Sequence, residues 1–300
     1  MKKLYFLRAL VLLFLFYTTD LQSQQIIFGT PLSAKKQVAE SHRLAKSLMK
    51  KHISQWRAKG DQHRTYYFAE ANENMPYRVC VPDNWDGKTK LPLVMFLHGG
   101  WNTESSYLDA NDKQLVKLAN QHGVLLVSPL GCHASYGNSL ILPAEFGLPD
   151  EADKILSKVT SEKMKAQILS EKDIINVLEL VLAEYPVDHQ AMFLTGHSMG
   201  SGGTWYIGAK YSGYWKALAP MSGPFVLEEG YPWENIKSKP IFVSEGTKAM
   251  ASLNSSRKLH EWMTVHHFKV KYKEVDADHP GMVPLILPDV FSFIDDCIQK

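Results

Sequence analysis

The sequence predicts an α/β fold, a mostly parallel central sheet flanked by helices. Three observations carry that expectation. Short apolar runs rich in β-formers recur along the chain: LPLVMFL (91–97), VLLVS (124–128), AMFLT (191–195), WKALAP (215–220) and PIFVS (240–244). Segments of helical period separate most of them. The segments richest in reactive side chains, HGGW, GHSMG and DADHPG, each follow a strand-like run. Alternation of apolar strands with helices means a parallel sheet covered on both faces, and such sheets bind ligands beyond the carboxyl ends of their strands.

The elements follow in order. Lys2, Lys3 and Arg8 precede nine unbroken apolar residues, Ala9 to Tyr17, and small Ser23 follows a polar stretch. The run is too short for the ~20 helical residues that cross a bilayer, so residues 1–23 read as a signal peptide and the protein as secreted or periplasmic. Residues 24–62 form an N-terminal helical extension. Its helix is expected over 33–59, capped by Ser33, with Val38, Ala45, Leu48, Met49, Ile53 and Trp56 on the face that packs on the main body. Residues 63–300 form the main α/β domain. RTYYFAE and YRVCVP open it as a hairpin, and LPLVMFL follows the turn DGKTK. A helix over 112–121 ends at Gly123. Residues 131–160 lack a clear period and read as a lid or long loop. Ser170 and Asp173 are expected to open the next helix. After AMFLT come a helix following GHSMG, then WKALAP, PIFVS, a helix over 254–265, a strand over 268–275 and a last helix from Pro288.

Removing residues 1–23 takes Lys2, Lys3, Arg8 and Asp20 from the 33 basic and 31 acidic side chains, leaving 30 of each. That balance gives no electrostatic case for nucleic acid or an anionic membrane, and no stable membrane insertion is expected after the signal is removed. The spacing of Cys80, Cys132 and Cys297 offers no metal site, and no metal or organic cofactor is implied.

GHSMG (196–200) carries the chemistry. A serine hydroxyl needs exposure, a base and a donor pair for the developing oxyanion. A sharp strand-to-helix turn exposes Ser198, and Gly196 and Gly200 let strand and helix approach closely. The same turn aims the Met199 amide at the reacting carbonyl. The second oxyanion donor is expected in the loop after LPLVMFL, at Gly100 or Trp101, with His98 stiffening that loop. The base should lie beyond the last strand, where His279 stands. Among the twelve histidines its main competitor is His133, in the long loop.

LPLVMFLHGGW, LTGHSMGSGGTW and DADHPGMVPLILPDVFSFI are similar to the oxyanion, nucleophile and histidine segments of α/β-hydrolases. Within that superfamily the chain resembles the secreted esterase, polyhydroxybutyrate-depolymerase-like and prolyl-oligopeptidase-like group over roughly residues 75–298. The resemblance implies a triad acid a few residues after PIFVS, where SEGTKAMASLNSSRKL stands. Ala249, or Lys248 under a one-residue shift, occupies that place. The acid then comes from elsewhere, or the protein is impaired, or the residue has been substituted. Glu245 is the nearest replacement and Glu228 with Glu229 a second. Asp276 and Asp278 are expected to shape the His279 loop.

The function expected is an exported serine hydrolase that cleaves a small-molecule or polymer ester through an acyl-enzyme on Ser198. The alternatives are a serine peptidase and a hydrolase-fold binding protein without turnover. Trp101, Tyr107, Tyr136, Phe146 and Trp205 either line an aromatic cleft or pack the core and lid.

Overall fold

The computed structural model describes residues 31–49, 57–132, 161–223, 231–248 and 252–299. The signal segment, most of the 131–160 lid with His133, Tyr136 and Phe146, and Glu228, Glu229 and Ala249 lie outside the described residues.

Eight strands form one sheet in the order β1-β2-β4-β3-β5-β6-β7-β8. They are β1 (Gly60–Phe68), β2 (Glu73–Val81), β3 (Leu91–Leu97), β4 (Leu125–Pro129), β5 (Val187–His197), β6 (Ala217–Met221), β7 (Ile241–Gly246) and β8 (Val270–Val275). β2 runs antiparallel to β1 and β4, and all other neighbours are parallel. The described helices are α1 (Pro31–Met49), α2 (Ser106–Gln121), α3 (Ser161–Glu184), α4 (Met199–Lys210), α5 (Ser252–Val265) and α6 (Met282–Ile298). The central strands read as continuous apolar runs because both their faces are covered. On one face Leu93, Met95, Leu97, Met192 and Leu194 pack with residues of α1, α3, α4 and α5. On the other, Val94, Phe96, Ala191 and Phe193 pack with α2 and α6.

Several boundaries differ from the sequence expectation, each for a physical reason. α1 is described to Met49, and Arg57–Lys59 are not helical, so the helix does not reach 59. Its inward face includes the polar Gln37 and Ser41, tolerated because Gln37 donates to Ser41 Oγ and Ser41 donates to Asn176 Oδ1. β1 begins at Gly60, so residues 60–62 belong to the sheet rather than to the extension. α2 starts at Ser106 but is kinked, with Asn111, Asp112 and Lys113 in the left-handed region.

Ser170 and Asp173 do not open α3. The helix already runs from Ser161, through a stretch of good helix formers, and both residues are buried in it. Asp173 instead accepts hydrogen bonds from the Gly131 and Cys132 amides at 2.8 and 3.1 Å, and from the Tyr66 hydroxyl at 2.5 Å. It therefore anchors the chain as it leaves β4. The last helix starts at Met282, six residues before Pro288. Pro288 has no amide to offer the Pro284 carbonyl, and the Gln114 side chain of α2 donates there instead at 2.9 Å. None of the three buried cysteines is in a disulfide. No described helix is long and apolar enough to cross a membrane.

Candidate active site

The parallel register brings the ends of β3, β5, β6, β7 and β8 to one edge of the sheet. Leu97 pairs with Gly196, His197 with Met221, Met221 with Ser244, and Gly246 with Val275. The residues that follow these ends make up the candidate site.

β5 stops at His197 and α4 starts at Met199, so Ser198 alone makes the turn, with φ 58° and ψ −117°. A side chain at Gly196 would lie 2.7 Å from the Leu97 carbonyl oxygen, and one at Gly200 would lie 2.7 Å from that of His98. Both glycines are therefore needed for the helix to rest against the β3 and β5 ends. The Ser198 amide donates to Met221 of β6 at 3.0 Å, and its carbonyl accepts from Ser201 and Gly202. Ser198 and Met199 remain partly exposed. Met199 is the first residue of α4, where amides have no acceptor within the helix.

The loop after β3 is held firmly. His98 is wholly buried, with its ring nitrogens 2.8 Å from the carbonyl oxygens of Gly99 and Leu130, which ties the loop to the end of β4. Burial pushes the His98 imidazole below its ordinary range. Gly99 lies beside Ser198: a Cβ there would sit 3.5 Å from Ser198 Cβ. The space beside Gly100 is open, and Trp101, at φ 64°, is 90% exposed. Trp205 is excluded from any cleft. It is fully buried and packs edge-on against Tyr231 and Trp233.

His279 lies beyond β8 and is brought beside the nucleophile turn. Its ring centroid is 4.4 Å from that of His197, the residue before Ser198. His197 Nε2–H donates to the His279 carbonyl at 2.9 Å, and the Tyr107 hydroxyl donates to His197 Nδ1 at 2.7 Å. That hydroxyl also lies against Gly99, where a Cβ would come within 2.5 Å of it. One chain of contacts thus joins the 98–101 loop, the nucleophile turn and the His279 loop. Burial, reinforced by His279, pushes the His197 imidazole down to about 3, so it stays neutral and keeps these two bonds. Asp278 accepts from the Gly281 amide, and Asp276 pairs with Lys248 and Thr247, so both acids shape the loop.

No carboxylate of the described residues is hydrogen-bonded to the His279 ring. Nδ1 lies 2.7 Å from the hydroxyl of Ser222, the residue after β6. Glu245 is fully buried, and its oxygens accept from the Gly223 amide, Ser256 and Ser252. Lys248 is exposed. Burial lowers the His279 imidazole, and the charges of Glu245 and Asp278 partly oppose that. Ser222 and the roles of Tyr107 and His197 were missed from sequence. For Ser222 a signal existed: SGP directly follows a strand run at the edge already singled out. Among the described residues no group of three or more His, Cys, Asp or Glu side chains is arranged to hold a metal ion.

A family model described as "Putative esterase" matches residues 69–267. S-formylglutathione hydrolase from Bos taurus is 28% identical over 164 residues, 52% of this chain and 55% of that protein. The Mus musculus protein of the same name is 26% identical over the same shares. The chain spans about half the length of the curated relatives it matches. Among solved structures, S-formylglutathione hydrolase from Staphylococcus aureus superposes with a TM-score of 0.59 at 15% identity, over 79% of this chain and 98% of that one. A ferulic acid esterase from Anaeromyces mucronatus, in complex with ferulic acid, gives 0.56 at 20% identity, over 80% and 94%. These similarities establish the α/β-hydrolase fold. The family match takes in the 98–101 loop, the turn at Ser198 and Glu245, and by it the chain belongs to the esterase family.

Proposed function

We propose that this chain is an exported serine hydrolase of carboxylic esters. Ser198 attacks the acyl carbon. His279 takes the serine proton on Nε2, the nitrogen opposite Ser222, and returns it to the leaving alcohol. The Met199 amide and an amide of the 99–101 loop stabilise the oxyanion. The acyl-enzyme on Ser198 is then cleared by water. One observation carries the reading. Ser198 stands alone in a left-handed conformation between β5 and α4, with His279 held against its preceding residue. Family membership and esterase neighbours support ester chemistry over peptide cleavage. The open space beside Gly100 and the exposed Trp101 leave room for an aromatic acyl group such as the ferulic acid bound by one neighbour. Export rests on residues 1–23 alone.

Hydrolysis of p-nitrophenyl acetate and methyl ferulate by the parent and Ser198→Ala tests this. The parent should turn over both, and Ser198→Ala should lose on the order of 10³ or more in kcat while remaining folded. A Ser198→Ala protein within a few-fold of the parent refutes the nucleophile. A folded parent inert to both substrates favours the binding-protein alternative.

A further inference from the structure

We propose that Ser222 orients His279, and that Glu245 acts on the imidazole through the Ser222 and Ser252 hydroxyls instead of touching it. This rests on the reading of Ser198 and His279 as nucleophile and base. Four buried side chains behind His279 form a continuous polar path. Nδ1 is 2.7 Å from Ser222 Oγ. Ser222 Oγ is 3.4 Å from Ser252 Oγ, and Ser252 Oγ is 3.3 Å from Glu245 Oε2. The other carboxylate oxygen accepts from the Gly223 amide and the Ser256 hydroxyl, both at 2.7 Å. Ser222, Ser256 and Glu245 are at most 1% exposed, and Ser252 is 8% exposed.

A carboxylate accepts and never donates, so it sets the direction of each hydroxyl around it. Ser256 and Ser252 donate to Glu245. Ser222 then donates to Ser252, which leaves its lone pair to accept from Nδ1–H. That tautomer has a bare Nε2, the form a base requires. The opposite direction, with Ser222 donating to Nδ1, would put the ring proton on Nε2 and block proton transfer from Ser198. A triad carboxylate in direct contact makes the same choice of tautomer and stabilises the imidazolium. Here the two outer links are long for hydroxyl bonds, so the imidazolium gains less stabilisation. Ser222 also holds φ 52°, uncommon for a non-glycine residue, and such a conformation persists where its surroundings over-determine it. Ser222 and Glu245 are positioning residues, since both act through His279.

Fluorophosphonate labelling of the full chain reads this without a known substrate. The labelling rate is followed against pH for the parent, Ser222→Ala, Glu245→Gln and the double variant, with near-ultraviolet circular dichroism as the check on folding. The ionisable groups facing the His279 ring are His197 from β5, Glu245 from β7 and Asp278 from its own loop. Ser222→Ala should slow labelling on the order of 10²-fold. Glu245→Gln should slow it and move the acid limb to lower pH, because a negative charge that favours the imidazolium is gone. The double variant should be no slower than Ser222→Ala, since both residues act through one chain of contacts. Ser222→Asp, which brings a carboxylate onto Nδ1, should recover the rate that Ser222→Ala loses. Labelling by Ser222→Ala within threefold of the parent, an unmoved acid limb in Glu245→Gln, or an Asp variant no faster than the Ala variant overturns the proposal. If Glu245→Gln does not fold, the Ala and Asp variants at 222 decide alone. A label that persists in Ser198→Ala overturns the nucleophile reading itself, a result distinct from the other three.

Discussion

Ser198 has backbone angles that cost a serine on the order of 1–3 kcal/mol, and the surrounding contacts hold it there. Ser198 also remains partly exposed, as the proposed nucleophile must be. In the proposed reaction His279 is the base, which acts in its neutral form. An ordinary imidazole titrates near 6.5, and burial moves His279 below that. The sign follows: the active form is the unprotonated ring, so activity should fail only when pH drops through the lowered value. The acid limb of kcat/KM is therefore expected below about 6.5. An acid limb above 7 would assign the titration to another group. His279→Ala should cost on the order of 10³ in kcat. The turn at Ser198 and the place of His279 beside it were legible from sequence, because glycine spacing marks the turn and chain order marks the histidine. Ser222 was marked only by its place after a strand run, because its contact with His279 joins residues 57 apart in sequence.

At the scale of elements, the site depends on how closely α4 approaches β3. Gly200→Ala would drive a methyl into the carbonyls of Leu97 and His98, which are backbone and cannot swing aside. It should destabilise the fold by about 3 kcal/mol or more and abolish labelling of Ser198, as thermal unfolding and labelling will report. A variant with parent stability would mean that α4 can shift freely. α3 contributes differently, through Asp173. Burial raises that carboxyl to about 6 against hydrogen bonds that lower it. Its folded value thus lies above the ordinary 3.8, so protonation favours the folded state. Its contribution is fully present below about 4 and is lost as pH rises through about 6. Relative to Asp173→Asn, which does not titrate, the parent should gain up to about 3 kcal/mol of unfolding free energy as pH falls across that window. Denaturant titrations at pH 4 and 7 check this, and a pH-independent difference would contradict it. The sequence misplaced the starts of α3 and α6 in an instructive way. Ser170 and Asp173 have the composition of a helix cap, yet Asp173 accepts from the Gly131 and Cys132 amides just after β4 and from Tyr66, and the buried Ser170 hydroxyl has no hydrogen-bond partner among the described residues. Pro288 looks like a helix start, yet Gln114 supplies the donor that lets the helix run through it.

For the molecule as a whole, the mostly parallel sheet and the edge that carries the site followed from apolar runs alternating with helices, while the order of strands in the sheet did not. The parallel register then gathers Gly99, Ser198, Ser222, Glu245 and His279 from separate strand ends. Which of those ends contributes an acid could not be read from sequence, because the expected place holds Ala249 and Glu245 reaches His279 only through hydroxyls donated by β6 and α5. The central claim is that this edge makes one serine reactive. Peptide mapping by mass spectrometry after fluorophosphonate treatment of the native chain tests it most directly. The account predicts a single adduct on the peptide containing Ser198, absent after heat denaturation and strongly slowed in His279→Ala. An adduct on another serine, or a native protein that takes up no label at any pH from 5 to 9, would contradict it.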